Sequence, residues 1–161
     1  MPLFLVISCV FFLFLIAVFL YLPTYDVPVT APSDAHTQLQ SFGMERATLG
    51  SASMQLFIAD TDKERMKGLS GVRTLGKNEG VLFIFSLPGR YGFWMKDMQF
   101  SLDFIYLRDK KVVEVIKDVS PDTYPASIES RLPADSILEV KAGFVDRENI
   151  KVGDSLELDS D

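Results

Sequence analysis

From Leu3 to Leu22 the only clearly polar side chain is Ser8. Twenty helical residues rise about 30 Å, the thickness of a bilayer's hydrocarbon core. This run constrains the chain more than any other feature. It predicts a membrane-spanning or signal-anchor helix over residues 3–22, with everything downstream hanging from it. Buried core helices are shorter and keep a polar face. A cleaved signal peptide has a shorter apolar stretch behind a basic segment, whereas no Lys or Arg precedes Arg46 here. The best small-x-small site, Val29-Thr30-Ala31, is followed by Pro32. Val6-Ile7-Ser8-Cys9 has the look of a lipoprotein cleavage box, but apolar residues continue well beyond it. A retained anchor is therefore the expectation. The α-amine is the only positive charge on the short side, while Asp26 and Asp34 lie on the other. That balance favours an inside N-terminus and an extracytoplasmic domain.

Pro23, Pro28 and Pro32 then fall among Thr, Ser, Ala and Gln. Proline removes backbone donors and favours extended chain, so residues 23–44 read as a flexible linker and residues 45–161 as the domain. Chemistry is narrowed by what the domain lacks. The single cysteine, Cys9, lies in the anchor and the single histidine, His36, in the linker. The domain therefore has no Cys/His zinc set, and no Ser-His-Asp or Cys-His nucleophile arrangement. Neither a metal site nor a cofactor is expected. From residue 41 onward there are 16 basic and 20 acidic side chains, a net charge of −4. Nothing resembles a basic nucleic-acid footprint, and no nucleic-acid partner is expected.

Met54 to Ala59 reads as a strand. Thr61-Asp62-Lys63-Glu64 fits a capping box, opening a short helix through Met66 that Gly68 would stop. Val81 to Phe85 is a continuous apolar run, as in a strand covered on both sides. Tyr91–Lys96 and Leu102–Arg108 read as strands, and Asp109-Lys110 turns the chain into a β-branched strand over 111–117. Pro121 and Pro125 break the next stretch. Ile137–Val140 and Ser155–Leu158 are late strands, with Asp146 capping one helical turn between them. Short strands at close spacing, with no βαβ rhythm, predict an all-β (mainly β) sandwich or barrel with one or two short helices.

Two carboxylates, Asp97 and Asp103, flank one strand connection. Such a pair is the inventory of a carboxylate-dependent hydrolase, although Asp97 also suits a turn. Alternation places Asp103 on one face with Ile105 and Leu107. A carboxylate there needs partners, for which Arg65 and Lys96 are candidates; the residue either closes one end of the barrel in an ion pair or faces a ligand. Aromatics crowd residues 83–106. Consecutive strand residues point oppositely, so Tyr91, Phe93 and Met95 make a core face and Trp94 and Lys96 the other. Trp94 is then either a stacking platform or the cover of a second layer.

Glu64 to Leu69, Gly80 to Phe85, Phe93-Trp94-Met95-Lys96-Asp97-Met98, Leu102-Asp103, Leu138 to Gly143 and Gly153-Asp154 follow one another in an order that resembles the domain-of-unknown-function 192 (DUF192) family. The resemblance covers roughly residues 53–158. It implies a compact, mainly β domain, often exported or membrane-attached, and supplies no reaction and no catalytic residue. The sequence departs from the family's usual pattern at Ser70, Val81, Asp97 and Ser101. The combined expectation is a non-enzymatic, membrane-tethered binding module for an envelope component such as a saccharide. Arg65, Trp94, Lys96, Asp97 and Asp103 are its candidate site residues. An assembly partner of another membrane protein is the alternative, and a hydrolase the third.

Overall fold

The computed structural model describes residues 35–39 and 41–159. The expected anchor over residues 3–22 lies outside them. Among the described residues no helix is long and apolar enough to cross a membrane. Seven strands form one sheet: β1 (Gly43–Leu49), β2 (Ala52–Ala59), β3 (Glu79–Gly89), β4 (Leu102–Arg108), β5 (Lys111–Val119), β6 (Ala134–Lys141) and β7 (Leu156–Leu158). Their order is β5-β4-β6-β3-β2-β1-β7. Among the described residues three short α-helices accompany them: α1 (Ala35–Leu39), α2 (Asp62–Lys67) and α3 (Phe144–Arg147).

The sheet curls until its edges meet. Lys111 of β5 bridges Ser155, just ahead of β7. Val112 N donates to Asp154 O (2.9 Å) and Leu156 N to Lys110 O (2.8 Å). These bonds satisfy edge groups that would otherwise stay open, and the mainly β expectation takes the form of a partly closed barrel. One face is enclosed, because residues of all seven strands meet there, among them Leu56, Leu82, Ile105 and Leu138, and α3 adds Phe144 and Val145. The other face carries Phe57, Phe83, Phe104, Tyr106 and Ile137. Loops cover it, contributing Leu69, Val72, Met95 and Ile128. The central strands are thus buried on both sides.

Several local readings hold for stated reasons. β4 has the expected bounds. Asp109 and Lys110 both take positive φ (51° and 63°), as a two-residue hairpin matched to strand twist requires. Gly80 of β3 pairs with Val140 of β6. A Cβ there would stand 2.7 Å from Leu138 Cδ1 and 3.1 Å from the Glu139 carbonyl oxygen.

Other readings need correction. The folded unit starts before Glu45. Leu39 and Phe42 are buried, and Gln38 Nε2 donates to the carbonyls of Gly68 and Ser70, so residues 35–44 belong to the domain rather than to a loose linker. Tyr91–Lys96 is not a strand but an extended segment held by one bridge, Phe93 to Ile128. β2 and β3 run parallel, joined by a crossover that contains α2. Asp146 lies within α3, whose N-cap is Gly143.

Candidate functional site

The crossover after β2 builds one wall of a cavity. Thr61 and Glu64 close the expected capping box: Glu64 N donates to Thr61 Oγ1 (3.3 Å) and Thr61 N to Glu64 Oε2 (3.0 Å). These bonds satisfy two of the orphan donors at the start of α2. Gly68 ends the helix at φ 47° and ψ −139°, a conformation open essentially to glycine. That turn lays Leu69 back against the outer face of the sheet. Segment 91–98 forms the opposite wall.

Between the two walls is a cavity of about 510 Å³. Aromatic rings dominate its lining. Phe83 and Phe93 meet edge to face at 5.0 Å. Phe85 and Tyr91 stack at 3.6 Å, and Tyr91 Oη is fixed by donating to Leu87 O (2.6 Å). Trp94, the chain's only tryptophan, also lines the cavity; with 62% of its surface exposed it stands at the mouth. Arg65 lies over the Phe85 ring at 5.3 Å. Its guanidinium donates to Ile84 O (2.7 Å), to Asp62 Oδ1 (2.6 Å) and to Asp60 O. It acts as a fixed strut of the wall with its charge met by Asp62.

One acidic side chain reaches the cavity from the sheet. Glu139 of β6 stands opposite Val81 of β3 and Phe104 of β4, retains 5% exposure and lines the cavity. Among the described residues no fully enclosed side-chain oxygen lacks a hydrogen-bond partner. No such bond reaches Glu139, so its carboxyl must hold that residual exposure, which opens onto the cavity. Burial alone pushes it up to about 8, because nothing in the protein stabilises its charged form. Tyr106, its neighbour on β4, is raised by burial first and by the charge of Glu139 second, so its hydroxyl stays protonated.

Sequence reasoning named five candidate residues. Arg65 and Trp94 line the cavity. Lys96 and Asp97 do not: they form an exposed turn, Asp97 at φ 58°, tied by Ser70 Oγ donating to Lys96 O and Gly71 N donating to Asp97 O. Asp103 is on the enclosed face, and its expected pairing with Arg65 or Lys96 is corrected. Leu102 pairs with Val119 but Phe104 with Ile116, so β5 bulges opposite Asp103 and frees an amide. Asp118 N donates to Asp103 Oδ1 (2.9 Å), and Val145 N, in the first turn of α3, donates to Oδ2 (3.1 Å). The aspartate thus satisfies a bulge and caps a helix. Buried Asp103 and exposed Asp97 flank no common cleft, which removes the geometric basis of the hydrolase reading.

Glu139 was missed. Ile137-Leu138-Glu139-Val140 does carry a signal, a lone acid inside an apolar strand, but it becomes informative only once both faces of β6 are known to be covered. A second buried acid, Glu114, is structural. Burial pushes it up, but Arg131 Nε (2.7 Å), Ser130 Oγ (2.8 Å) and Arg131 N (2.7 Å) donate to it and hold it below the usual range. Among the described residues, no group of three or more acidic, His or Cys side chains is placed to hold a metal.

Fold and cavity together define a small, curled β domain that presents an aromatic pocket with one buried acid. The chain belongs to the DUF192 family, described as uncharacterised (Uncharacterized ACR), whose model matches residues 45–158. Two solved structures are similar. A protein of Sinorhizobium meliloti 1021, named as a candidate transcription regulator, is 28% identical with a TM-score of 0.69; the match covers 73% of this chain and 95% of that one. A protein of unknown function from Novosphingobium aromaticivorans DSM 12444 is 27% identical with a TM-score of 0.67, over 71% of this chain and 84% of that one. No curated protein matches the chain.

Proposed function

We propose that the domain is a non-enzymatic binding module, held at the outer membrane surface by residues 3–22, whose cavity takes a small envelope component such as a saccharide. The observation that carries this reading is the exposed Trp94 at the mouth of an aromatic cavity that has one polar group at depth. Pockets of this size and make-up suit small ligands. A tryptophan held at such a mouth offers a flat apolar face for a sugar ring. The family and the two similar structures supply no activity to set against this reading. The name of the S. meliloti protein invites a role in transcription, but the acidic balance of this chain argues against direct contact with nucleic acid.

A second reading, docking of a membrane-protein partner, draws on Met66 and Leu87, which are 80% and 70% exposed beside the cavity walls. One experiment separates the two. The full chain in non-ionic detergent is titrated with envelope saccharides while thermal unfolding and Trp94 fluorescence are followed. A ligand at 100 times its Kd adds about 2.7 kcal/mol, a shift on the order of 10 °C for a domain this size. A selective shift lost in Trp94→Ala supports the module. Silence across the panel, with a stoichiometric partner recovered from membranes, supports docking.

A further inference from the structure

Glu139 has no internal role to explain it. Asp103 accepts from two donors and Glu114 from three, whereas Glu139, also buried, points its carboxyl into a space lined by rings. An acid placed this way marks a site. We propose that the cavity recognises a compact organic ammonium, its cationic head seated between the Glu139 carboxylate and the aromatic rings. This deepens the binding-module reading and rests on it. Ring faces are electron-rich and attract cations, and one ring of this wall, Phe85, already carries the Arg65 guanidinium. A neutral sugar could stack on Trp94 and hydrogen-bond the acid, but it would gain nothing from the charge that Glu139 can take. A divalent metal needs several oxygen ligands, and Glu139 stands alone. The chain's formal charge of −6 draws cations toward it.

The charged and titratable groups that face the cavity are Asp62, Arg65, Lys67 and Tyr91, with Tyr106 behind Glu139. Arg65 and Asp62 neutralise each other, and burial holds the proton on Tyr106. Glu139 is thus the group whose charge changes across this range. In the empty cavity it holds a proton at neutral pH. Seating a cation expels that proton to solvent and leaves a carboxylate–ammonium pair. An amino sugar and a choline headgroup both present this chemistry.

The test uses matched probes on the full chain in non-ionic detergent: glucosamine against glucose, and choline against its uncharged isostere 3,3-dimethylbutan-1-ol. Trp94 fluorescence and calorimetry report binding. At least one cation should bind about tenfold or more tighter than its neutral match, and the member of the pair that does so identifies the source. Choline affinity should rise about tenfold per pH unit from pH 6 toward 8 and then level, because one proton leaves per ligand bound. Calorimetry in buffers of different ionisation enthalpy should show about one proton released per ligand at neutral pH, a readout that needs no variant. Glu139→Gln should erase the preference for the cation. Equal or tighter binding of the neutral members, or affinity that falls as pH rises, overturns the ammonium assignment and leaves the binding module standing. No response to any probe, charged or neutral, overturns both.

Discussion

Asp103 and Glu139 lie on adjacent strands of one sheet, and both are buried, yet their surroundings make them opposites. Asp103 faces the enclosed side, where a bulge and a helix start offer it two amides. Its charge is used to satisfy donors that the fold itself creates. Glu139 faces the loop-covered side, where rings and methyl groups offer nothing. Burial alone therefore marks neither residue as functional. What distinguishes them is whether the protein supplies the partners. An acid whose partners are internal belongs to the architecture, and one whose partners are missing is an opening for something else.

The largest expected effect that tests this contrast is on pH dependence. Glu139 is raised from 4.5 to about 8, so between those values the folded chain holds a proton that the unfolded chain has lost. The contribution of Glu139 to stability is full below about pH 4.5, declines as pH rises toward 8, and is constant above. The integrated loss is on the order of 4 kcal/mol. Urea unfolding at pH 5 and pH 9 should show it, and Glu139→Gln should abolish it, with the variant the more stable protein at pH 9. A wild-type profile already flat across this window would mean that Glu139 is not desolvated, and the contrast would collapse.

Asp103→Ala should come next, at about 3 kcal/mol, because it leaves the amides of Asp118 and buried Val145 without their acceptor. Gly80→Ala should cost about 2 kcal/mol by overpacking. It presses on the backbone of Glu139, so it should weaken ligand binding more than Asp103→Asn does. Thr61→Ala removes the cap of α2, at about 1 kcal/mol in thermal unfolding. Trp94→Ala should be the quietest, within about 0.5 kcal/mol, while abolishing the ligand-dependent shift. A large stability loss there would make Trp94 a packing residue and break its assignment to the mouth.

Local signals were legible wherever a few neighbouring residues decide the outcome. The capping box at Thr61, the hairpin at Asp109-Lys110 and the bounds of β4 all follow from side chains within a few positions of one another. The need of Asp103 for partners was legible too, but their identity was not, since Asp118 N–H is freed by a bulge and Val145 N–H arrives with a distant helix. β1 escaped because only Ala47 and Leu49 of its residues are buried, too few to print an alternation. Its neighbour β7 was legible, as the late strand read over Ser155–Leu158. Glu139 escaped for a topological reason. On an edge strand it would be a solvated residue, and only the placement of β6 between β3 and β4 makes it a buried one. Arg65 and Trp94, which line the cavity, were picked out because charge and aromaticity stand out wherever they fall, and the same signal picked out Lys96 and Asp97, which form a turn.

The seam of the barrel bears on how quickly this protein becomes itself. Ala47 pairs with Leu158, so β7 joins the two extremes of the domain's sequence, and Lys111 bridging Ser155 then closes the seam from mid-domain. Closing so long a loop costs entropy before any contact offsets it, and topologies dominated by distant pairings fold in milliseconds to seconds rather than microseconds. Until the segment from Asp154 to Leu158 docks, β1 and β5 each present an open edge to any other unfinished chain. Aggregation of newly made protein should therefore respond sharply to changes in those five residues, although they contribute little to the mature core.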